Sequence, residues 1–94
     1  MTREERLVGR VRRALDAAHV ELEDEGARHA GHEGTKGGAG HYAVVVVSER
    51  FAGLGRVARH RAVYEAVGDL IPGEIHALAI RTYTPEEWRE AGES

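Results

Sequence analysis

The sequence predicts a two-layer α+β domain on a three-stranded mixed sheet, in the order helix, strand, strand, helix, strand, helix. Three observations predict it: helical apolar spacing near the N-terminus, a β-branched run from Tyr42 to Val47, and a second helical segment followed by the strand pattern Ile75 to Tyr83. A helix of about four turns between the last two strands suits a right-handed parallel crossover, whereas the first two strands can pair antiparallel.

The first helix starts near Arg3, because Thr2 and Glu5 have capping-box spacing, and it sets Leu7, Val11, Ala14, Leu15 and Ala18 on one side. The period then changes to two. Val20 and Leu22 alternate with Glu21 and Glu23, which reads as a half-exposed edge strand ending at Asp24-Glu25-Gly26. Residues 25–40 hold six glycines, two histidines and no large apolar side chain, so the expectation is an exposed, flexible loop. In the strand that follows, from His41 to Ser48, valines occupy both faces, as in a central strand covered on at least one side. Arg56 to Leu70 returns to helical spacing, with Gly55 as a permissive N-cap. After the Pro72-Gly73 turn comes the third strand. The last helix has Thr84 as N-cap, Pro85 at its first position, Glu86 and Glu87 in its first turn, and Tyr83 spaced to staple onto Trp88. A frayed tail is expected over 89–94.

At 94 residues the sequence holds a single domain, and 41% hydrophobic with 31% charged residues argues against disorder. The longest apolar run is too short to span a bilayer, and the charged stretch Met1 to Arg6 lacks the apolar core of a secretory signal, so the expectation is cytoplasmic, without a membrane. A formal net charge of −3 counts against general phosphate-backbone binding, though a local basic patch remains open. No nucleophile–base–orienter set stands out, so no catalytic residue is assigned.

With no cysteine present, transition-metal work must fall mainly on imidazole. His60 stands between Arg59 and Arg61, and His29, His32 and His41 lie in and beside the glycine-rich segment. On a helical wheel His60 falls with Val57, Tyr64, Val67 and Ile71, which fits a hydrogen-bonded core histidine as well as a ligand. His41 opens the central strand as a supporting hydrogen bonder or cap. His76, in phase with Leu78 and Ile80, reads as structural, and His19 is given no role. Adventitious zinc on His29, His32 and His60 is a further option, without the thiolates usual in structural sites.

In order along the chain stand Val20-Glu21-Leu22-Glu23-Asp24-Glu25, Arg28-His29-Ala30-Gly31-His32, His41-Tyr42, Val46-Val47-Ser48 with Phe51 and Gly53, Arg59-His60-Arg61 with Val63-Tyr64, Ile75-His76-Ala77-Leu78 and Thr84-Pro85-Glu86-Glu87-Trp88. This ordered set resembles the BolA family over almost the whole chain. It departs at Gly26, where the family usually has serine, and in a longer, more glycine-rich loop. The resemblance implies a class II K-homology-like fold. The usual Gly-x-x-Gly nucleic-acid clamp is not matched, since Gly53 and Gly55 are two apart.

The resemblance further implies a partner of monothiol glutaredoxins in iron–sulfur cluster assembly, trafficking or iron sensing. A [2Fe-2S] cluster would be shared in a heterodimer with the glutaredoxin, which supplies glutathione. The apo form would be a monomer or weak dimer. On that reading His60 and His29 are the ligands, with His32 and His41 as alternates, and Arg59 and Arg61 belong to the partner-binding surface. The alternative, also implied by the family, is a DNA-binding transcriptional regulator in stress response or morphology, with Arg50, Arg56, Arg59 and Arg61 as a basic strip. Those arginines equally fit a solvated helix flank.

Overall fold

The computed structural model describes residues 2–25 and 40–92. Its main elements are α1 (Arg3–Leu15), β1 (His19–Asp24), β2 (Gly40–Val47), α2 (Arg56–Val67), β3 (Ile75–Tyr83) and α3 (Pro85–Glu90), with single 3-10 turns at Glu49–Phe51 and Gly68–Leu70. The Thr2 hydroxyl accepts from the Glu5 amide at 3.1 Å while the Glu5 carboxylate accepts from the Thr2 amide at 2.9 Å, so α1 starts as its capping box dictates. It stops at Asp16, whose φ of 49° is left-handed and whose N–H donates to the Arg12 carbonyl. Thr84 and Glu87 repeat the capping box on α3, with Pro85 in its first turn.

The sheet order is β1-β2-β3, with β1 antiparallel and β3 parallel to β2. One face carries Tyr42, Val44 and Val46, and the core forms where these meet Leu7, Val11 and Leu15 of α1 and Val63 and Val67 of α2, with Phe51, Leu70, Ile75 and Leu78. Full burial of one such side chain stabilises by about 1.5–3 kcal/mol, so this layer dominates the fold energetics. Ion pairs tie α1 to the α2–β3 connection: Arg10 Nη2 donates to Asp69 Oδ2 at 2.9 Å, and Arg6 pairs with Glu74. The N-terminal arginines Arg6 and Arg10 are therefore used within the molecule.

Three differences from the sequence expectations have local causes. First, α2 ends at Val67 and tightens into a 3-10 turn through Leu70, so the helix is shorter than the expected 56–70. Its buried side is Val63 and Val67, whereas Val57 is 71% and Tyr64 42% exposed, which puts His60 on a half-buried flank outside the core. Second, β3 carries a bulge: Gly40 pairs with Ile75 and the next residue, His41, with Ala77, leaving His76 as the extra residue. Ile75 and Leu78 are consequently both buried while His76 and Ala77 are both exposed, which overturns the in-phase reading of His76 as structural. Third, α3 runs through Glu90, so Arg89 and Glu90 belong to a helix instead of the expected tail. At the other boundary, Gly40 is already strand, while 26–39, with the expected loop ligands His29 and His32, lies outside the described residues.

Candidate functional site

The face of the sheet turned away from α1 and α2 is partly covered by α3. Trp88 packs edge-on to Tyr83 with ring centroids 5.0 Å apart and lies 5.3 Å from the His19 ring, which covers the end near Val47. At the opposite end, where β2 and β3 begin, the exposed rings of His41 and His76 stack with centroids 4.9 Å apart and an interplanar angle of 21°. The chain leaves the sheet at the end of β1 and rejoins it at Gly40 beside this pair, because Asp24 is registered with Tyr42. Strand parity alone could not have revealed His76: the bulge that turns it outward is a property of the β2–β3 pairing.

His60 belongs to a different neighbourhood. It lines a cleft of about 330 Å³ between α2 and the free edge of β3, together with Arg56, Ile80, Arg81, Thr82 and Tyr83. Counted from His76, the β3 part of this cleft lies four to seven residues further along the strand. At about 3.3 Å per residue that is about 13–23 Å. No hydrogen bond or ion pair to a described residue engages the His60 ring. His60 and the His41–His76 pair are thus separate, and no group of three or more His, Asp or Glu able to hold a metal is found among the described residues.

The arginines divide by how they are used. Arg59, expected on an exposed basic strip, is instead an internal clamp: its Nε donates to the Leu54 carbonyl at 2.8 Å, its Nη1 and Nη2 donate to Glu87 at 2.7 and 3.2 Å, and its side chain is only 13% exposed. Its guanidinium lies 5.7 Å from the centroid of the Phe51 ring. The Arg59 hydrogen bonds, helped by the Thr84 backbone, hold the Glu87 carboxyl at about 2 instead of an ordinary 4.5. Arg50 reaches the Ala14 carbonyl at 3.4 Å. Arg56 and Arg61 are exposed, and the cleft is also lined by Arg81, a β3 residue that belongs to no sequence motif. Leu54, Val57 and Tyr64 add exposed apolar surface along α2.

Comparison with known proteins fits this architecture. The BolA-like protein family matches residues 11–87. The chain is 52% identical over 59 residues to the DNA-binding transcriptional regulator BolA of Vibrio cholerae, covering 63% of this chain and 56% of that one. It is 41% identical over 81 residues to BolA-like protein 1 of Mus musculus, covering 86% and 57%. The chain thus spans a little over half the length of these two curated relatives. Among solved structures, the BolA domain of SufE1 from Arabidopsis thaliana superposes with a TM-score of 0.77 at 34% identity, covering 93% of this chain and 96% of that domain. With its mixed sheet, its helix order and this match over most of its length, the chain belongs to the BolA-like protein family.

Proposed function

We propose that the chain is a cytoplasmic binding and assembly protein that shares a [2Fe-2S] cluster, as cargo, with a monothiol glutaredoxin, which brings glutathione. The observation that carries this reading is the exposed His76, the extra residue of a bulge, held against His41 at the sheet end where residues 26–39 begin and finish. Bulges re-aim side chains next to functional sites, and a stacked neighbour restrains the ring that must ligate. His29 follows Glu25 by four residues, a contour of at most about 14 Å from the end of β1. The ligand pair we assign is therefore His76 with His29, with His32 as the alternate loop ligand and His41 in support. This moves the fixed ligand from His60 to His76. Stacked rings do not aim two lone pairs at one iron, which is why His41 is given the supporting role. Histidine ligation raises the potential of a [2Fe-2S] centre relative to four thiolates and favours a transferable cluster.

The apolar surface of Leu54, Val57 and Tyr64, with Arg61 beside it, supports α2 as the docking side for the glutaredoxin. Anaerobic reconstitution with a monothiol glutaredoxin and glutathione, followed by visible circular dichroism, tests the reading. A spectrum distinct from that of the glutaredoxin homodimer supports it, and an unchanged homodimer spectrum refutes it.

A second reading, DNA-binding transcriptional regulation, is favoured by the name of the Vibrio cholerae relative and by the exposed Arg56 and Arg61. It requires salt-dependent duplex binding without metal or partner, weakened by Arg56→Ala or Arg61→Ala.

A further inference from the structure

The two edges of the sheet are guarded differently. β1 alternates Glu21 and Glu23 with its apolar residues and ends on Asp24, charges that discourage a further strand. β3 has no proline, and beyond the bulge at His76 it runs regularly from Ala77 to Tyr83 with Arg81 as its one charged side chain. The Tyr83 carbonyl accepts from the Ser48 amide on the β2 side, so by alternation Leu78, Ile80 and Thr82 turn their main-chain groups outward. The outward row is stopped at both ends. The Tyr64 hydroxyl donates to the Leu78 carbonyl from outside at 3.1 Å, and Thr84 caps α3 at the other end. Between these stops the N–H and C=O groups of Ile80 and Thr82 form a row of alternating donors and acceptors, the pattern that another strand matches.

The surroundings of this row are cationic. Arg56 and His60 stand over it on the α2 side, and no carboxylate lines that cleft. Arg81 stands on the opposite face of the sheet, whose acids Glu21, Glu23 and Glu25 belong to β1 and its end. The register row Glu21, Val45, Arg81 puts Glu21 two strands away, about 10 Å, whereas a side chain on a strand added outside β3 would lie about 5 Å from Arg81. Arg56 and Arg81 make no ion pair among the described residues.

We propose that the free edge of β3 takes up a short, extended, acidic segment of a protein partner as a fourth strand over Ile80 and Thr82. Main-chain bonds to these two residues hold the segment and fix its register, and its carboxylates meet Arg81 on one face and Arg56 with His60 on the other. The inference rests on the backbone of β3 and the charges beside it, so it does not depend on cluster sharing.

The test is backbone-amide NMR of the full chain with a heptapeptide of alternating valine and glutamate, capped at both ends. Two controls accompany it: the same peptide with lysine for glutamate, and its fully N-methylated form, which keeps the charge but has no backbone donor. Saturable shifts centred on Ile80 and Thr82, with hydrogen exchange of those two amides slowed about tenfold or more, are expected from the glutamate peptide and from neither control. Arg81→Ala should weaken binding about threefold, the loss of one exposed ion pair. Thr82→Pro removes an outward N–H without touching the ladder to β2 and should abolish binding, whereas His76→Ala should leave it unchanged. Should Thr82→Pro fail to fold, the N-methylated peptide decides. Equal binding of that peptide reduces the contact to charge alone and overturns the strand, as do equal binding of the lysine peptide and the absence of saturable shifts. Concentration-dependent protection of the same amides without peptide makes a second copy of the chain the occupant and overturns the acidic partner.

Discussion

Glu87 has three duties: its carboxylate caps the Thr84 amide, accepts from both terminal nitrogens of Arg59, and through that arginine fastens α3 to the Leu54 carbonyl. With its folded-state pKa depressed to about 2 from 4.5, the stabilisation it provides is fully present above pH 4.5 and is lost as pH falls toward 2. Glu87→Gln keeps an oxygen for the cap but removes the charge. Urea denaturation from pH 6 down to pH 2 should therefore show a shallower loss of stability in the variant across that window than in the wild type. A second residue links helix to sheet. The fully buried Ser48 donates to the Leu15 carbonyl at 2.6 Å and accepts from the Arg50 amide at 3.0 Å. Ser48→Ala leaves the Leu15 carbonyl without that donor and should cost about 1–3 kcal/mol in equilibrium unfolding. Leu15 is remote from Ser48 in sequence, so no local motif reveals that bond, whereas the Thr84–Glu87 capping spacing was legible directly.

At the scale of elements, legibility followed locality. Both capping boxes, the Tyr83–Trp88 staple and the central valine strand depend on residues close together in sequence, and all are present. The buried side of α2 depends instead on what lies opposite. Its sequence offers apolar residues on two flanks, and packing against α1 and the sheet selects Val63 and Val67 over Val57 and Tyr64. For the same reason the exposure of His76 was hidden, because it follows from a register shift between two strands. The end of α1 carries a prediction of its own. Asp16 occupies the left-handed C-cap conformation that glycine adopts without a Cβ penalty, so Asp16→Gly should stabilise by about 0.5–1 kcal/mol. The urea midpoint should rise with an unchanged slope.

Across the whole molecule, the element order and the mixed sheet were readable because each local signal agreed with the same topology. The candidate site was readable only in its residue types. Histidines in a cysteine-free chain pointed to imidazole chemistry, but assigning each to one end of the sheet required β1, β2 and β3 in register. That arrangement separates the His41–His76 end from the cleft of His60. No described helix is long and apolar enough to cross a membrane. The most direct measurement of the central claim is pulsed EPR of the reduced cluster-bound complex with a monothiol glutaredoxin, made with wild type, His76→Ala and His60→Ala. Imidazole nitrogen couplings should be present in wild type and in His60→Ala, and diminished or lost with the cluster in His76→Ala. A wild-type spectrum without them, or couplings that survive His76→Ala and vanish in His60→Ala, would contradict the assignment.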